Sequence, residues 1–470
     1  MKLKNELLEH QKNAVAKLRK VKVGALFMEQ GTGKTITALE LCRIRIEKGT
    51  VDKIIWLCPC SAKNNIKLEI LKQCPSELLS RIVICGIETL SSSIKANTYL
   101  LELVKHHKCF LVVDESLLIK NHKAIRTNNI LRLGDYCTYK LILNGTPISR
   151  NAADLYSQFL LLDWRILGYR SYWSFEANHL EVDERTKRVV RSLNLNYLSE
   201  KIDPYTVKIT KSDCLDLPDK NYSCKNFFLT REQMWHYEEV ADKLLFELDE
   251  LEPATIYRLF SGLQAVASGK QLTFFKDKNN KMNSHFKATE FFENPLNNPR
   301  TKCLMNMIDT ENDDKTIIFC NYTSEITTLC SILGTKAIRF DGTISQKARF
   351  ENINIFKNNP NVLYLIANRS CAGYSLNLQF CHKIIYFSNN WDLATRLQSE
   401  DRVHRIGQTE DIQIVDLYAE YTLDNRIADC LHRKESLADR FKNLLKESDR
   451  ESIKNLVLSP NRYFKDLEDL

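Results

Sequence analysis

The most specific chemistry this chain offers lies in Gly31-Thr32-Gly33-Lys34-Thr35. Two glycines with one residue between them let the backbone curl, so that successive N–H groups converge on one anion. A helix starting near Lys34 adds unpaired N–H groups and its positive dipole end at the same point. Lys34 brings a full charge to the outer phosphates of a nucleotide such as ATP. The Thr35 hydroxyl is a hard oxygen within reach of a magnesium ion, Mg2+. The longer form of such a loop has a further glycine at position 28, where this chain has Met28, so the match is to the G-x-G-K-T core. The alternative is a glycine turn ahead of an amphipathic helix, with no ligand.

Asp114-Glu115 ends the apolar run Cys109-Phe110-Leu111-Val112-Val113, about 80 residues after the loop. A carboxylate at a buried strand end holds a metal ion through its water shell, and its neighbour orients and deprotonates an attacking water. The competing role is a cap for the next helix. Far downstream, Arg402 and Arg405 are three apart and Gln398 is four before Arg402, so on a helix all three share a face. Paired guanidiniums suit a phosphate. An exposed basic helix pairing with Glu400 and Asp401 accounts for them equally. Gln11 sits in Leu7–Val15, a stretch with helical spacing ahead of the loop. Its amide can serve both the N6 donor and the N7 acceptor of adenine, or it is an ordinary polar helix residue.

These residues need strands to hold them. The runs in Gly24–Phe27, Lys53–Pro59, Arg81–Gly86, Cys109–Glu115 and Tyr139–Pro147 are apolar, with polar groups at the strand ends, and alternate with helical spacing. That pattern predicts an α/β fold with a doubly wound parallel sheet, whose ligands lie beyond the carboxyl ends of the strands. A second series follows at Lys315–Cys320, Ala337–Gly342, Val362–Ile366 and Lys383–Phe387, without a phosphate loop. The predicted division is a first lobe over 1–165, a mostly helical insertion over 166–297 and a second lobe over 298–470. Within the insertion, Tyr169-Arg170-Ser171-Tyr172-Trp173 would either stack on bases or pack its rings into a helical subdomain. Lys276–Lys281 reads as a solvated loop.

Composition narrows the class. The chain has 470 residues, 44% hydrophobic and 27% charged, enough for two or three cored domains. A net charge of +8 is compatible with a polyanionic partner without demanding one. Fifteen cysteines are scattered, many in apolar runs, which points to a reducing intracellular compartment, cytoplasmic or at the nucleoid or nucleus. Cys58-Pro59-Cys60 lacks a second pair or histidines at ligand spacing, so zinc is not expected. No apolar run approaches a membrane span, and the first residues carry no signal-peptide pattern.

Taken together, these stretches resemble the Swi/Snf-type branch of superfamily 2 DNA-dependent ATPases, from about Leu8 to about Arg426. The signature Gln398-x-x-x-Arg402-x-x-Arg405-x-Gly407-Gln408 carries the resemblance, with Trp391-Asp392 before it. Asp114–Asn121 and Asn144–Ile148 look like the second and third motifs of the branch. Pro59, Ser61, Asn65 and Glu69 fit its first DNA-contacting motif. Arg339–Gly342 with Arg349, Ile353 and Phe356 match its second lobe. The resemblance implies two RecA-like lobes, with ATP at Gly31, Thr32, Gly33, Lys34 and Thr35, and Gln11 and Gln398 also at the nucleotide. It implies Mg2+ on Thr35 and Asp114, Glu115 activating water, and Arg402 and Arg405 completing catalysis. Ser61, Asn65 and Asn377 would touch nucleic acid. The implied activity is ATP-driven movement along double-stranded DNA or remodelling of a DNA-bound protein, by a bare motor without accessory domains. The rivals are a strand-separating DNA or RNA helicase and a non-catalytic DNA-binding relic or scaffold. Leu117 stands where the branch usually has histidine, Ile66 where it has tryptophan, and Ala372 and Ser375 where it has glycines. These departures bear on coupling more than on ATP binding.

Overall fold

The structure, a computed structural model, describes residues 2–146, 148, 151–183, 189–214, 217–246, 253–276, 284–309, 314–369, 378–389 and 393–432. The apolar runs form the strands they predict: β1 (Val23–Met28), β2 (Lys53–Cys58), β3 (Ile82–Gly86), β4 (Cys109–Asp114) and β5 (Tyr139–Asn144). In β2, Ile54 to Cys58 are all fully buried, so the strand is covered on both faces. Its side chains divide by the two-residue period: Ile55 and Leu57 enter one core, and Ile54, Trp56 and Cys58 enter the other. Burying each of these side chains stabilises the fold by about 1.5–3 kcal/mol before entropy is counted.

The middle of the chain adds strands that the helical reading lacked. A short hairpin, β6 (Leu180–Val182) and β7 (Val189–Ser192), is followed by β8 (Thr206–Ile209), which pairs with β1. The first sheet is thus six-stranded and parallel, in the order β3-β2-β4-β5-β1-β8. Next, β9 (Lys220–Phe227) leads into helices Arg231–Phe246 and Pro253–Ala267 and a second hairpin, β10 (Lys270–Lys276) and β11 (Ser284–Glu290). The second sheet uses β12 (Thr316–Cys320), β13 (Ala337–Phe340), β14 (Tyr364–Asn368), β15 (Lys383–Tyr386) and β16 (Ile412–Ala419). Its order is β13-β14-β12-β15-β16-β9, again parallel. The chain forms two compact units, one built mainly from residues up to Leu217 and the other mainly from Pro218 onward. The stretch 166–297 is therefore shared between them and is not a body of its own. Among the described residues no helix is long and apolar enough to cross a membrane. The loop expected at Lys276–Lys281 lies, after Lys276, outside the described residues.

The aromatic patch packs inward, apart from one ring. Tyr172 stacks on His122 at 3.8 Å between centroids, and Tyr156, Tyr169, Phe175 and His179 complete the cluster. Trp173 stays 81% exposed. His179 is buried, with Nδ1 at 3.3 Å from the Leu193 carbonyl and Nε2 at 3.1 Å from the Tyr169 hydroxyl. A carbonyl only accepts, so Nδ1 carries the proton, and in the neutral ring that burial favours Nε2 accepts from the tyrosine hydroxyl. Burial holds its pKa below the ordinary histidine value. Its contribution to stability is present above that ordinary value, about 6.5, and is lost as pH falls through the lowered folded value. Thermal melts at pH 7.5 and 5 should therefore show an acid-induced drop that is smaller in His179→Phe than in the wild type. An equal drop in both proteins would place the sensitive group elsewhere.

Candidate nucleotide site

At the carboxyl end of β1 the chain turns through Glu29 and Gln30 into the glycine loop, and then enters α2 (Lys34–Glu47). Gly31 and Gly33 have φ of +90° and +93°, where a side chain costs about 1–2 kcal/mol. Thr32 is fully buried, and both its N–H and its hydroxyl donate to the Glu29 carbonyl, at 3.3 and 2.8 Å. No side chain caps α2, and its first turn carries no acidic residue, so its N-terminal dipole end is left for an anion.

A second helix holds the loop. On α1 (Glu9–Leu18), Gln11 accepts from the Leu8 N–H at 3.0 Å and donates through Nε2 to the Thr32 carbonyl at 3.0 Å. The His10 Nε2 donates to the same carbonyl at 2.9 Å. A Cβ on Gly33 would lie 2.2 Å from Gln11 Nε2. Gln11 thus fastens α1 to the phosphate loop, which sequence reasoning did not foresee. Lys34 Nζ donates to the Met28 carbonyl at 2.7 Å, a bond that an arriving phosphate would replace.

Asp114 closes β4 and is buried. Burial pushes its carboxyl well above the usual carboxylate range, and the neighbouring Glu115 charge pushes it further. Glu115 has φ +53°, an uncommon left-handed turn for a residue with a side chain, and its N–H donates to Asp114 Oδ1 at 3.0 Å. The turn is braced from behind. The Ser116 hydroxyl donates to Gln158 Oε1 at 2.6 Å, and Gln158 Nε2 donates to the Asp154 carbonyl at 2.6 Å.

Glu69 takes a place its sequence spacing did not reveal. On α3 (Lys63–Gln73), its carboxyl lies near the Thr35 hydroxyl, and burial raises its pKa. Its charge also acts on Asp114. Glu69 and Asp114 therefore both lie near Lys34, with Thr35 close to Glu69 and Glu115 next to Asp114. These hard oxygen donors fit Mg2+, and the positive-φ glycines with the uncapped helix end fit a polyphosphate. Among the described residues no group of three or more His, Cys, Asp or Glu side chains is arranged as a metal cage. Thr35 and Asp114 would hold Mg2+ together with oxygens of the nucleotide.

The downstream residues depart from expectation in one respect. Helix Leu393–Glu400 ends before Arg402, so Arg402 and Arg405 do not share a helical face with Gln398. The chain turns because the Glu400 carbonyl accepts from both Val403 and His404, while the Arg402 carbonyl takes the Leu378 N–H at 3.1 Å. Gln398 is exposed and Arg402 is buried. The Glu400 carboxylate is committed to Arg396 at 3.0 Å, Lys220 at 3.0 Å and the Tyr222 hydroxyl at 2.8 Å. Arg396, which the sequence reading passed over, lies 3.9 Å over the Tyr386 ring and pairs with Asp416. Ser61 follows β2 and Asn65 lies on α3, both half-buried. Asn377, Ala372, Ser375, Trp391, Asp392 and Pro147 lie outside the described residues.

Two parallel α/β units, with a phosphate loop on the first sheet and paired acids two strands away, define a helicase-like P-loop protein. Residues 79–288 match the SNF2-related domain, and residues 299–407 match the helicase conserved C-terminal domain. The chain belongs to the Swi/Snf-type branch of superfamily 2 helicase-like ATPases. It is similar to an uncharacterized ATP-dependent helicase of Mycoplasma pneumoniae, 24% identical over 89% of this chain and 40% of that protein. It is also similar to the DNA repair and recombination protein RDH54 of Saccharomyces cerevisiae, 25% identical over 77% of this chain and 39% of that one. The chain thus spans about two-fifths of the length of these curated relatives. A solved Sulfolobus solfataricus SWI2/SNF2 ATPase core in complex with dsDNA is 23% identical, with a TM-score of 0.42 over 97% of this chain and 98% of that one.

Gly33→Ala tests the cradle. The added Cβ meets both the left-handed backbone and Gln11, so nucleotide affinity and melting temperature should both fall, the latter by the equivalent of about 1–2 kcal/mol or more. Adding Gln11→Ala should return part of the melting temperature, because it removes the clash and leaves the strain. A melting temperature unchanged in Gly33→Ala would refute the close approach described here.

Proposed function

We propose that this chain hydrolyses ATP and couples the hydrolysis to movement along duplex DNA. The observation that carries the proposal is the placement of Gly31–Thr35 and Asp114-Glu115 at the same end of one parallel sheet, after β1 and at the end of β4. The loop N–H groups, the α2 terminus and Lys34 bind and orient the outer phosphates. Thr35 and Asp114 hold Mg2+, which when bound offsets phosphate charge. Glu115 orients the water and accepts its proton. Gln11 is proposed to use its remaining amide capacity on the adenine, and Gln398 to belong to the nucleotide set. Arg402 and Arg405 are proposed, from the sequence signature, to stabilise charge that builds up in the transition state.

The DNA reading rests on that signature and on the yeast relative, whose name makes it a DNA repair and recombination protein. Ser61, Asn65 and Asn377 are the proposed backbone contacts, which would make binding salt-sensitive and largely indifferent to sequence. A DNA-bound protein is the proposed object of remodelling.

A substrate panel tests the reading. ATPase activity should be stimulated more by duplex DNA than by single strands or RNA, with ATP-driven displacement of a third strand from a triplex. Efficient duplex unwinding without triplex displacement would instead identify a strand-separating helicase, and no turnover on any nucleic acid would identify a relic. Within the site, Lys34→Ala should lose nucleotide binding and turnover. Glu115→Gln should bind ATP and leave it intact, and hydrolysis at the wild-type rate would remove Glu115 as the base. Arg405→Ala should keep ATP and DNA binding while losing about 10³–10⁵-fold in kcat. A DNA-stimulated rate within a few-fold of wild type would show that Arg405 has only a surface role.

A further inference from the structure

The edge strand β8 brings a second lysine to the phosphate loop. In the pairing of β1 with β8, Met28 lies opposite Ile209, so the residues that follow the two strands leave the sheet side by side. The Glu29 N–H donates to the Ile209 carbonyl at 3.0 Å, and Glu29 Oε2 accepts from the Lys211 N–H at 2.8 Å. The carbonyl of the same Glu29 holds Thr32. Glu29 thus ties the turn after β8 to the glycine loop. That turn is closed on itself. Asp213 Oδ2 accepts from the Thr210 N–H at 2.9 Å, the Thr210 and Ser212 hydroxyls are 2.8 Å apart, and the Cys214 N–H donates to the Lys211 carbonyl at 3.2 Å.

With its backbone fixed, Lys211 directs its side chain at the loop. A Cβ on Gly31 would lie 3.9 Å from Lys211 Cε, so the end of the lysine stem passes over the first glycine, and the ammonium is a single bond further on. Lys211 is 7% exposed. A lysine is rarely this buried unless its charge has partners. The charges of the site also call for it. Of the residues up to Leu217 assigned to ATP, Lys34 alone is cationic, while Asp114 and Glu115 are acidic. A nucleotide keeps negative charge after Mg2+ has bound, so a second cation beside the loop matches what the loop has to hold.

We propose that Lys211 is a second phosphate-binding lysine, whose ammonium donates to a phosphate oxygen of the nucleotide from the β8 side of the loop while Lys34 does so from α2. The inference rests on the reading of Gly31–Thr35 as an ATP site. An ammonium has three N–H donors, so a phosphate oxygen can join or replace a protein partner, as it would at Lys34. The charge is in place before any bond is broken, so Lys211 acts on nucleotide binding.

The test is calorimetric titration of the whole chain, in the presence of Mg2+, with ATP and with inorganic triphosphate, which has no base or sugar. Two neutral variants are compared, Lys211→Gln and Lys211→Met, the second keeping a flexible apolar stem that suits a buried place. Both should bind ATP and triphosphate about tenfold or more weakly than the wild type, by a similar factor for the two probes. Lys211→Arg should restore most of the affinity, which a loss of packing would not predict. Triphosphate binding as in the wild type by either neutral variant, with a melting temperature that shows it folded, overturns the proposal. A loss for ATP alone overturns it as well, because the charge would then act at the base or sugar. Lys34→Ala in the same titration separates this inference from the reading it rests on. Binding lost in Lys34→Ala but kept in the Lys211 variants removes only Lys211, whereas binding kept in Lys34→Ala removes the loop as the phosphate site and Lys211 with it.

Discussion

Parallel pairing of β4, β5 and β1 is the constraint on which the nucleotide loop depends. Register sets Asp114 beside Leu143 and Leu143 beside Leu26, so the end of β4 lies two strand spacings, about 10 Å, from the level of β1 where the glycine loop is about to begin. Parallel strands bring all their carboxyl ends to one edge, and the helices between them cover both faces of the sheet. The acids and the loop therefore meet at one edge of the sheet. The remaining precision comes from side chains. Gln11 and His10 hold the Thr32 carbonyl from one side, and Ser116 and Gln158 brace the turn after β4.

That edge is where the structure accepts local cost. Gly31 and Gly33 are left-handed, Glu115 is left-handed despite its side chain, and three carboxylates share one neighbourhood. The Glu115 turn and the crowded carboxylates destabilise the isolated fold, and a divalent cation would relieve the crowded charge. The buried cores on the two faces of the sheet supply the stability that lets this strain persist.

The second unit is organised differently. Arg300, fully buried, pairs with Asp424 and lies 5.1 Å from the Phe227 ring and 5.7 Å from the Phe387 ring. Arg396 is held between Asp416, Glu400 and the Tyr386 ring. Breaking one partner of such a pair costs about 3–5 kcal/mol, because the remaining charge has no water to return to. These pairs tie β9, β15 and β16 to the helices packed on them.

Several features were legible in the sequence because their physics is local. A strand buried on both faces must be continuously apolar, so β1, β2, β4, β5, β12 and β15 announce themselves, and a phosphate loop must carry glycines where φ is positive. Edge strands answer to no such rule. β8 is short, and β9 is mostly exposed and reads as polar chain, so a helical insertion was expected where each sheet in fact gains a strand. Helical spacing placed Arg402 and Arg405 on one face, but the chain turns after Glu400 through local carbonyl bonds, with the Arg402 carbonyl taken by the distant Leu378 N–H. Glu69 reached Thr35 only because α3 packs beside α2. The sequence by itself determined the strands, the loop and the family, since these depend on residue type and near spacing. Only the tertiary structure decided which distant side chains share a carboxylate, because that follows from how elements pack, and packing leaves no periodic mark on the chain.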